Sequence, residues 1–240
     1  MNRRGYLFLG LAIALAGLQT ARADSYDAVS DFTAGSNPSG AWSYLYASSV
    51  GSALTPLTAA SNLAGVGIPF FSDGQSVPTS VVVARNTTGS TASYETIVQP
   101  TDLLEVDPES LVADVRWTAP AAGTYSVSGL FQGIDTVSEQ HAVEILSNYN
   151  AASPLLDSPL AGYSTQVFFD FDGTYSAGDT LDFLVAYTGN YAFLSTGFDA
   201  TITSLGSASP VPLPAASIGG RLLIGFLAIG QAIRARRIQA

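Results

Sequence analysis

"LVADVRWTA", residues 111–119, alternates apolar and polar positions from Ala113 onward: Leu111, Ala113, Val115 and Trp117 share one side, and Asp114, Arg116 and Thr118 the other. Successive side chains of an extended chain point to opposite faces, so this spacing predicts a half-buried strand. The same period recurs outward from it. "GTYSVSGLF" (residues 123–131) places Tyr125, Val127 and Phe131 on one face, "TQVFFDFDG" (165–173) places Val167, Phe169 and Phe171, and "DTLDFLVAYTG" (179–189) places Leu181, Phe183, Val185 and Tyr187. Turn-forming residues separate these runs in "APAAG" (119–123), "DGTYSAGD" (172–179) and "TGN" (188–190), as short antiparallel strands require. "LTPLTAASNLAG" (54–65) leaves room for one short helix. The expected fold is all-β, an antiparallel β-sandwich or jelly roll.

Composition limits what such a sandwich can bind. The chain has no cysteine and no lysine, so disulfides and thiolate metal sites are excluded and the core alone must hold the fold. Residues 24–210 carry two arginines, Arg85 and Arg116, against nineteen carboxylates, a net charge of −17. Phosphate recognition needs a basic footprint, so nucleic acid is excluded as a partner, whereas a divalent cation or a neutral polymer is compatible. A span of this length suffices for one domain.

The other seven arginines lie near the two ends. Arg3 and Arg4 precede an apolar run over residues 6–18 and the small residues Ala21 and Ala23. That is the pattern of a secretory signal peptide cleaved after Ala23, too short to span a bilayer. At the other end, "VPLPAASIGGRLLIGFLAIGQAIRARRIQA" (211–240) joins a proline pair to an apolar stretch and a basic close. A helix over residues 215–233 would be about 28 Å long at about 1.5 Å per residue, close to the hydrocarbon thickness. Arg221 then lies near enough to its outer end to snorkel, and Arg234, Arg236 and Arg237 stay cytoplasmic by the positive-inside rule. The expected division is a signal peptide over 1–23, an ectodomain over 24–207 and a tail with a transmembrane helix over 208–240.

This tail resembles the PEP-CTERM sorting signal of Gram-negative bacteria. Val211, Pro212, Leu213 and Pro214 match a variant of its short motif, and Arg234, Arg236 and Arg237 match its basic end; Arg221 departs from a span the family keeps apolar. The resemblance implies an exosortase and a signal peptidase as processing partners, transient residence in the inner membrane, and delivery to the outer surface or extracellular matrix. Three blocks, "DFTAGSNPSGAWSYLYA" (31–47), "VRWTAPAAGTYSVSGLF" (115–131) and "GDTLDFLVAYTGNYAFLSTGFDATI" (178–202), are similar to a jelly-roll module recurrent in PEP-CTERM proteins. That similarity implies a carbohydrate-binding-like sandwich without catalysis.

Candidate chemistry is sparse. "EVDPE" (105–109) fits E-x-D-x-E, a motif that resembles the catalytic strand of laminarinase-like glycosidases: on a regular strand Glu105, Asp107 and Glu109 would point one way, as carboxylates flanking a glycosidic bond must. Pro108 opposes that geometry by removing a ladder donor, and the segment reads equally as the loop entering the next strand. Asp170, Asp172 and Asp179 offer oxygens for calcium without the spacing of a calcium loop, so no metal and no cofactor are expected. His141 is the sole histidine and is expected on a strand face, partly exposed. The "NTTG" at Asn86 reads as a loop. Trp42, Tyr44 and Tyr46 alternate along "AWSYLY", which suits stacking on sugar rings or a buried face. The resulting expectation is a non-catalytic structural or glycan-binding component of an exopolysaccharide-rich envelope. The alternative is a secreted glycan-active hydrolase using carboxylates near Glu105.

Overall fold

Alternation at residues 112–118 sets one face of a strand against a facing sheet. The computed structural model describes residues 23–205, apart from 64, 77, 78, 138, 188, 190 and 191. The signal segment through Ala21, the tail motif Val211, Pro212, Leu213 and Pro214, the basic end Arg234, Arg236 and Arg237, and the expected transmembrane helix lie outside the described residues; Ala23 opens the described span. Among the described residues no helix is long and apolar enough to cross a membrane.

Among the described residues sixteen strands, all paired antiparallel, form two facing sheets and a small hairpin. The chain begins with β1 (Ser25–Asp27), β2 (Trp42–Ala47), β3 (Thr55–Pro56), β4 (Ala59–Asn62), β5 (Pro69–Ser72) and β6 (Val82–Arg85). The hairpin β7 (Ala92–Tyr94) and β8 (Ile97–Gln99) follows, then β9 (Leu104–Asp107), β10 (Val112–Thr118) and β11 (Gly123–Gly133). Last come β12 (His141–Ser147), β13 (Leu156–Leu160), β14 (Gln166–Tyr175), β15 (Thr180–Ala186) and β16 (Thr196–Ser204). One sheet runs β13-β12-β15-β10-β2-β3; the other runs β14-β11-β16-β9-β6-β5-β4, with β1 also on β16.

The core is filled by the alternating apolar sets of both sheets. Trp117 pairs with Leu181, Val115 with Phe183 and Ala113 with Val185, so the inward face of β10 continues across β15 without a register break. Tyr125, Val127 and Phe131 of β11 face them together with Phe198, Ala200 and Ile202 of β16, all buried. Ring contacts cross the interface: Trp117 meets Tyr125 edge-on at 4.9 Å and Phe183 meets Phe198 at 5.0 Å, arrangements that add to area burial.

Four details differ from the alternation-based expectation. The segment at 54–65 forms β3 and β4 rather than a helix, because pairing of β3 with β2 and of β4 with β5 satisfies its backbone, and Leu57 alone is fully buried there. Strand β14 runs on through Asp172 and Gly173 to Tyr175, and only residues 176–179 turn. Gly173 serves packing here: a Cβ would meet the Tyr175 ring at 2.6 Å. His141 is buried, with Nε2 at 2.6 Å from Thr196 Oγ1 and Nδ1 at 3.1 Å from the Glu139 carbonyl. Burial pushes its imidazole below the usual histidine range and keeps it neutral.

The fourth difference is the polar face of β10, which is not open to water. Val50, Leu54 and Tyr149 pack over Ala47, Val112, Leu146, Leu184 and Ala186, covering the middle of the outer side of the six-stranded sheet. Asp114 is thereby fully buried, and its carboxyl is pushed well above the usual range by desolvation and by neighbouring Asp182. Arg116 Nε pairs with Asp182 Oδ1 at 2.5 Å, while Asp182 Oδ2 accepts from Tyr149 N at 3.0 Å and Thr180 Oγ1 at 2.9 Å. This network ties the covering segment at Tyr149 to the sheet.

Candidate functional site

On β9, Leu104 and Val106 point into the core, so Glu105 and Asp107 point outward from the eight-stranded sheet. Their neighbours in register decide how much room they have. Glu105 lies between Gly197 of β16 and Ala84 of β6, and Asp107 lies beside Val82. At Gly197 a Cβ would fall 2.6 Å from Leu103 Cδ1 and 2.9 Å from Ile134 Cγ2, so only glycine lets these apolar groups close beside the carboxyl.

The hairpin β7–β8 covers this part of the sheet as a roof. It is pinned along one side by Val98 N to the Ile134 carbonyl (2.9 Å) and Thr136 N to the Thr96 carbonyl (2.8 Å). The Asn86 amide pins its base, donating to the carbonyls of Ser90 (2.9 Å) and Gln99 (2.8 Å). "NTTG" is thus a turn whose asparagine is buried and committed to the fold. Under the roof Glu105 is 2 % exposed and bonds to the Tyr94 hydroxyl, which also lies 2.9 Å from Gln99 Oε1.

A cavity of about 370 Å³ remains between roof and sheet. Leu63, Val66, Phe70, Val82 and Ile97 supply apolar wall, and Asn62, Ser80, Tyr94, Glu95, Glu105 and Asp107 supply polar groups. A second cavity of about 260 Å³ is lined in part by the same Glu95, Ile97 and Asp107, together with Glu109, Asp135, Ser195 and Phe193. The carboxyls therefore converge, though not as a regular strand would arrange them. Pro108 ends β9, and Glu109 sits in a turn at φ 50° beyond it, lining the second cavity and not the first.

Electrostatics follow from crowding without counter-charge. Desolvation and then repulsion by Asp107 push the Glu105 carboxyl up to about 8, and Tyr94 is pushed above its ordinary range by burial and by Glu105. Desolvation raises Asp107 to about 6, against hydrogen bonds from Glu109 N (3.2 Å) and Ser195 Oγ (3.0 Å), and raises Glu109 to about 7. Neither arginine helps. Arg85 donates from Nη1 to the carbonyls of Ser30 (3.2 Å) and Phe32 (3.3 Å), and Arg116 belongs to the opposite sheet. Burial without a counter-charge thus favours the protonated form of Glu105, against the hydrogen bond that Tyr94 donates to it.

The proposed stacking aromatics lie elsewhere. Trp42 and Tyr44 are fully buried, inward-facing members of the core beside Phe183 and Phe71, and Tyr46 is half-buried against the same core. This corrects their reading as a sugar platform, because a ring packed on both faces has none left for a ligand. Asp170 and Asp172 are exposed along the outer face of β14, and Asp179 closes the following turn through Ser176 N at 2.7 Å. No group of three or more acidic or histidine side chains among the described residues is arranged to hold a metal ion. Tyr94, Gln99, Ser195 and Phe193 were not singled out from sequence. The signal available for the roof was "ASYETIVQ" at 92–99, two short runs around a polar pair.

No protein-family model matches the sequence, and no curated protein matches it. Among solved structures, a family 35 carbohydrate-binding module from Clostridium thermocellum aligns at 15% identity over 52% of this chain and 87% of that one, with a TM-score of 0.31. A module described as CBM51 from Clostridium perfringens GH95 in complex with methyl-galactose aligns at 14% identity over 62% and 94%, with a TM-score of 0.34. A family 35 module from an environmental isolate aligns at 17% identity over 60% and 98%, with a TM-score of 0.32. Likeness of this extent carries no argument about ligand or chemistry, and the two-sheet architecture stands on the strand pairing described above.

Proposed function

We propose that this chain is an exported, surface-sorted binding protein that holds a sugar of an envelope or matrix polysaccharide in the cleft under hairpin β7–β8, without cleaving it. The observation that carries the reading is the cavity of about 370 Å³, which brings apolar Phe70, Val82 and Ile97 together with the polar side chains of Asn62, Glu95 and Asp107. An apolar wall with polar groups converging on it is the usual make-up of a small-ligand site. A pyranose presents a C–H face to such a wall and hydroxyls to such carboxyls. Binding without cleavage is favoured because Glu105 is almost entirely covered and engaged with Tyr94, leaving no approach for a glycosidic oxygen.

One observation favours the hydrolase alternative: Glu105 at about 8 and Asp107 at about 6 are an acid and a base on one strand at neutral pH. A glycan array with the full chain separates the readings. Retention of a glycan, weakened about tenfold or more in Asp107→Asn through loss of a charged acceptor, without release of reducing sugar, is the expected result. Reducing-sugar release abolished by Glu105→Gln establishes the hydrolase instead.

Export and sorting rest on the terminal segments and their resemblance to exosortase substrates. Deletion of residues 211–214 is expected to leave full-length protein in the inner-membrane fraction, since the apolar stretch and basic end remain to anchor it. Undiminished release to the surface or medium removes the motif from the proposal.

A further inference from the structure

Phe168 breaks the pattern of its own strand. Along the outer face of β14 the other positions are Gln166, Asp170, Asp172 and Thr174, all polar, yet Phe168 stands among them 66 % exposed, more than any other large apolar side chain among the described residues. It contributes little to the core from that side, and an exposed aromatic on an edge strand is an aggregation liability that folding alone does not explain.

Its surroundings form a small plate with polar borders. Leu130 of β11 lies directly opposite in register and is half-buried, so the two side chains make an apolar strip two strands wide. On one side of the strip Gln166 Nε2 donates to Gln132 Oε1 at 2.6 Å, and on the other Ser128 pairs in register with Asp170. A shallow concavity of about 490 Å³ opens over Ser128, Leu130, Phe168 and Asp170. Strands about 4.8 Å apart and same-face side chains about 7 Å apart give this plate the dimensions of one sugar ring, with hydrogen-bonding groups before and behind it.

From this arrangement we infer that Phe168 and Leu130 form a second, shallow stacking site for an uncharged hexose of a polysaccharide chain, on the open part of the same sheet that carries the cavity. The inference rests on the glycan-binding reading above and adds a second contact to it. A second copy of this chain is disfavoured as occupant. One phenylalanine and a half-buried leucine fall far short of the roughly 800 Å² per partner that a stable interface buries. An anionic polymer is disfavoured as well, because Asp170, Asp172 and Asp199 share this face and both arginines of the described residues are engaged elsewhere. Two weak contacts on one face would reinforce each other along a repeating polymer.

The test uses the full chain with Phe168→Ala, Phe168→Trp and Asp107→Asn, measured by mobility in gels cast with a β-1,3-glucan, a galactomannan or alginate, and on a glycan array. Expected is a loss of about tenfold or more in retention by a neutral glycan in Phe168→Ala, with an unchanged melting temperature and retention preserved in Phe168→Trp. Unchanged retention in Phe168→Ala while Asp107→Asn loses binding overturns the plate and leaves the cavity reading intact. Retention lost only in Phe168→Ala keeps the plate and removes the cavity. Absence of retention on every glycan overturns both. Preferential retention by alginate overturns the assignment of an uncharged ligand, and a wild-type dimer that dissociates in Phe168→Ala assigns the patch to self-association.

Discussion

The melting temperature of this protein is expected to rise as the pH is lowered from 8 to 5, the reverse of ordinary acid denaturation. The sign comes from carboxyls whose folded state favours the proton. Glu105 is pushed to about 8, Glu109 to about 7, Asp107 and Asp199 to about 6, and Asp114 well above its ordinary range. A raised acid stabilises the fold fully below its unfolded value, here 4.5 for Glu105. It then loses that contribution as pH climbs to the folded value, because only the unfolded chain ionises freely in between. For Glu105 alone, at about 1.4 kcal/mol per unit, the change between pH 5 and 8 is on the order of 3 to 4 kcal/mol, about 7 °C or more for a domain of this size. His141 opposes the trend. Held neutral by burial, it weakens the fold as pH falls below 6.5, but it is one group against several.

Glu105→Gln isolates the main contributor. An amide of the same shape removes the ionisation while still offering a donor and an acceptor to Tyr94, so the variant is expected to melt higher than wild type at pH 8 and to lose most of the slope between pH 5 and 8. Thermal unfolding by circular dichroism across that range measures both. A wild-type midpoint that falls steadily on acidification would mean that the carboxyls around the cavity are ionised and counter-charged in the folded protein.

Periodicity made the sandwich legible because period-2 alternation has one physical meaning when a single face is buried. Residues 112–118, 123–131 and 180–186 show it cleanly, and their inward sets form the core. Alternation alone does not reveal a sheet face covered by the chain's own loops. Asp114 reads as a solvent-facing position in sequence, and its burial depends on residues 48–54 and 149, which arrive from elsewhere in the chain. The same limit applied to Trp42 and Tyr44, where an aromatic alternation fits an open platform and a packed core equally well. The site was half legible. "EVDPE" drew notice for its carboxyls, but its chemistry is set by Tyr94, Gln99, Ala84, Ser195 and Gly197, contributed by hairpin and neighbouring strands at long range. The inward set Val167, Phe169 and Phe171 puts Phe168 on the outer face, but its exposure depends on whether other segments cover that face, which alternation does not show.

Trp117→Ala is expected to cost about 4 kcal/mol, the upper range for loss of a large buried ring, because the site has little freedom to collapse. Trp117 is fully buried near the end of β10, and its ring contacts come from three other strands: Tyr26 of β1 at 5.8 Å, Tyr125 of β11 at 4.9 Å and Tyr175 of β14 at 5.8 Å. Those three belong to the eight-stranded sheet, so the indole is a principal tie between the sheets at that end. Its Nε1 has no hydrogen-bond partner, and a buried orphan donor detracts from stability. Trp117→Phe should therefore cost much less, about 1 kcal/mol, since it gives up area but also removes the unpaired N–H. Chemical denaturation midpoints with an unchanged m-value measure both substitutions. A cost below about 1 kcal/mol for Trp117→Ala would show that the two sheets do not depend on this contact. The same variant separates fold from function. The cavity under the hairpin and the Phe168 plate both lie on the outer face of the eight-stranded sheet, whereas Trp117 acts between the sheets. Below its lowered midpoint, Trp117→Ala should thus retain glycan as wild type does, and a parallel loss of binding would mean that the outer face takes its shape from the packing beneath it.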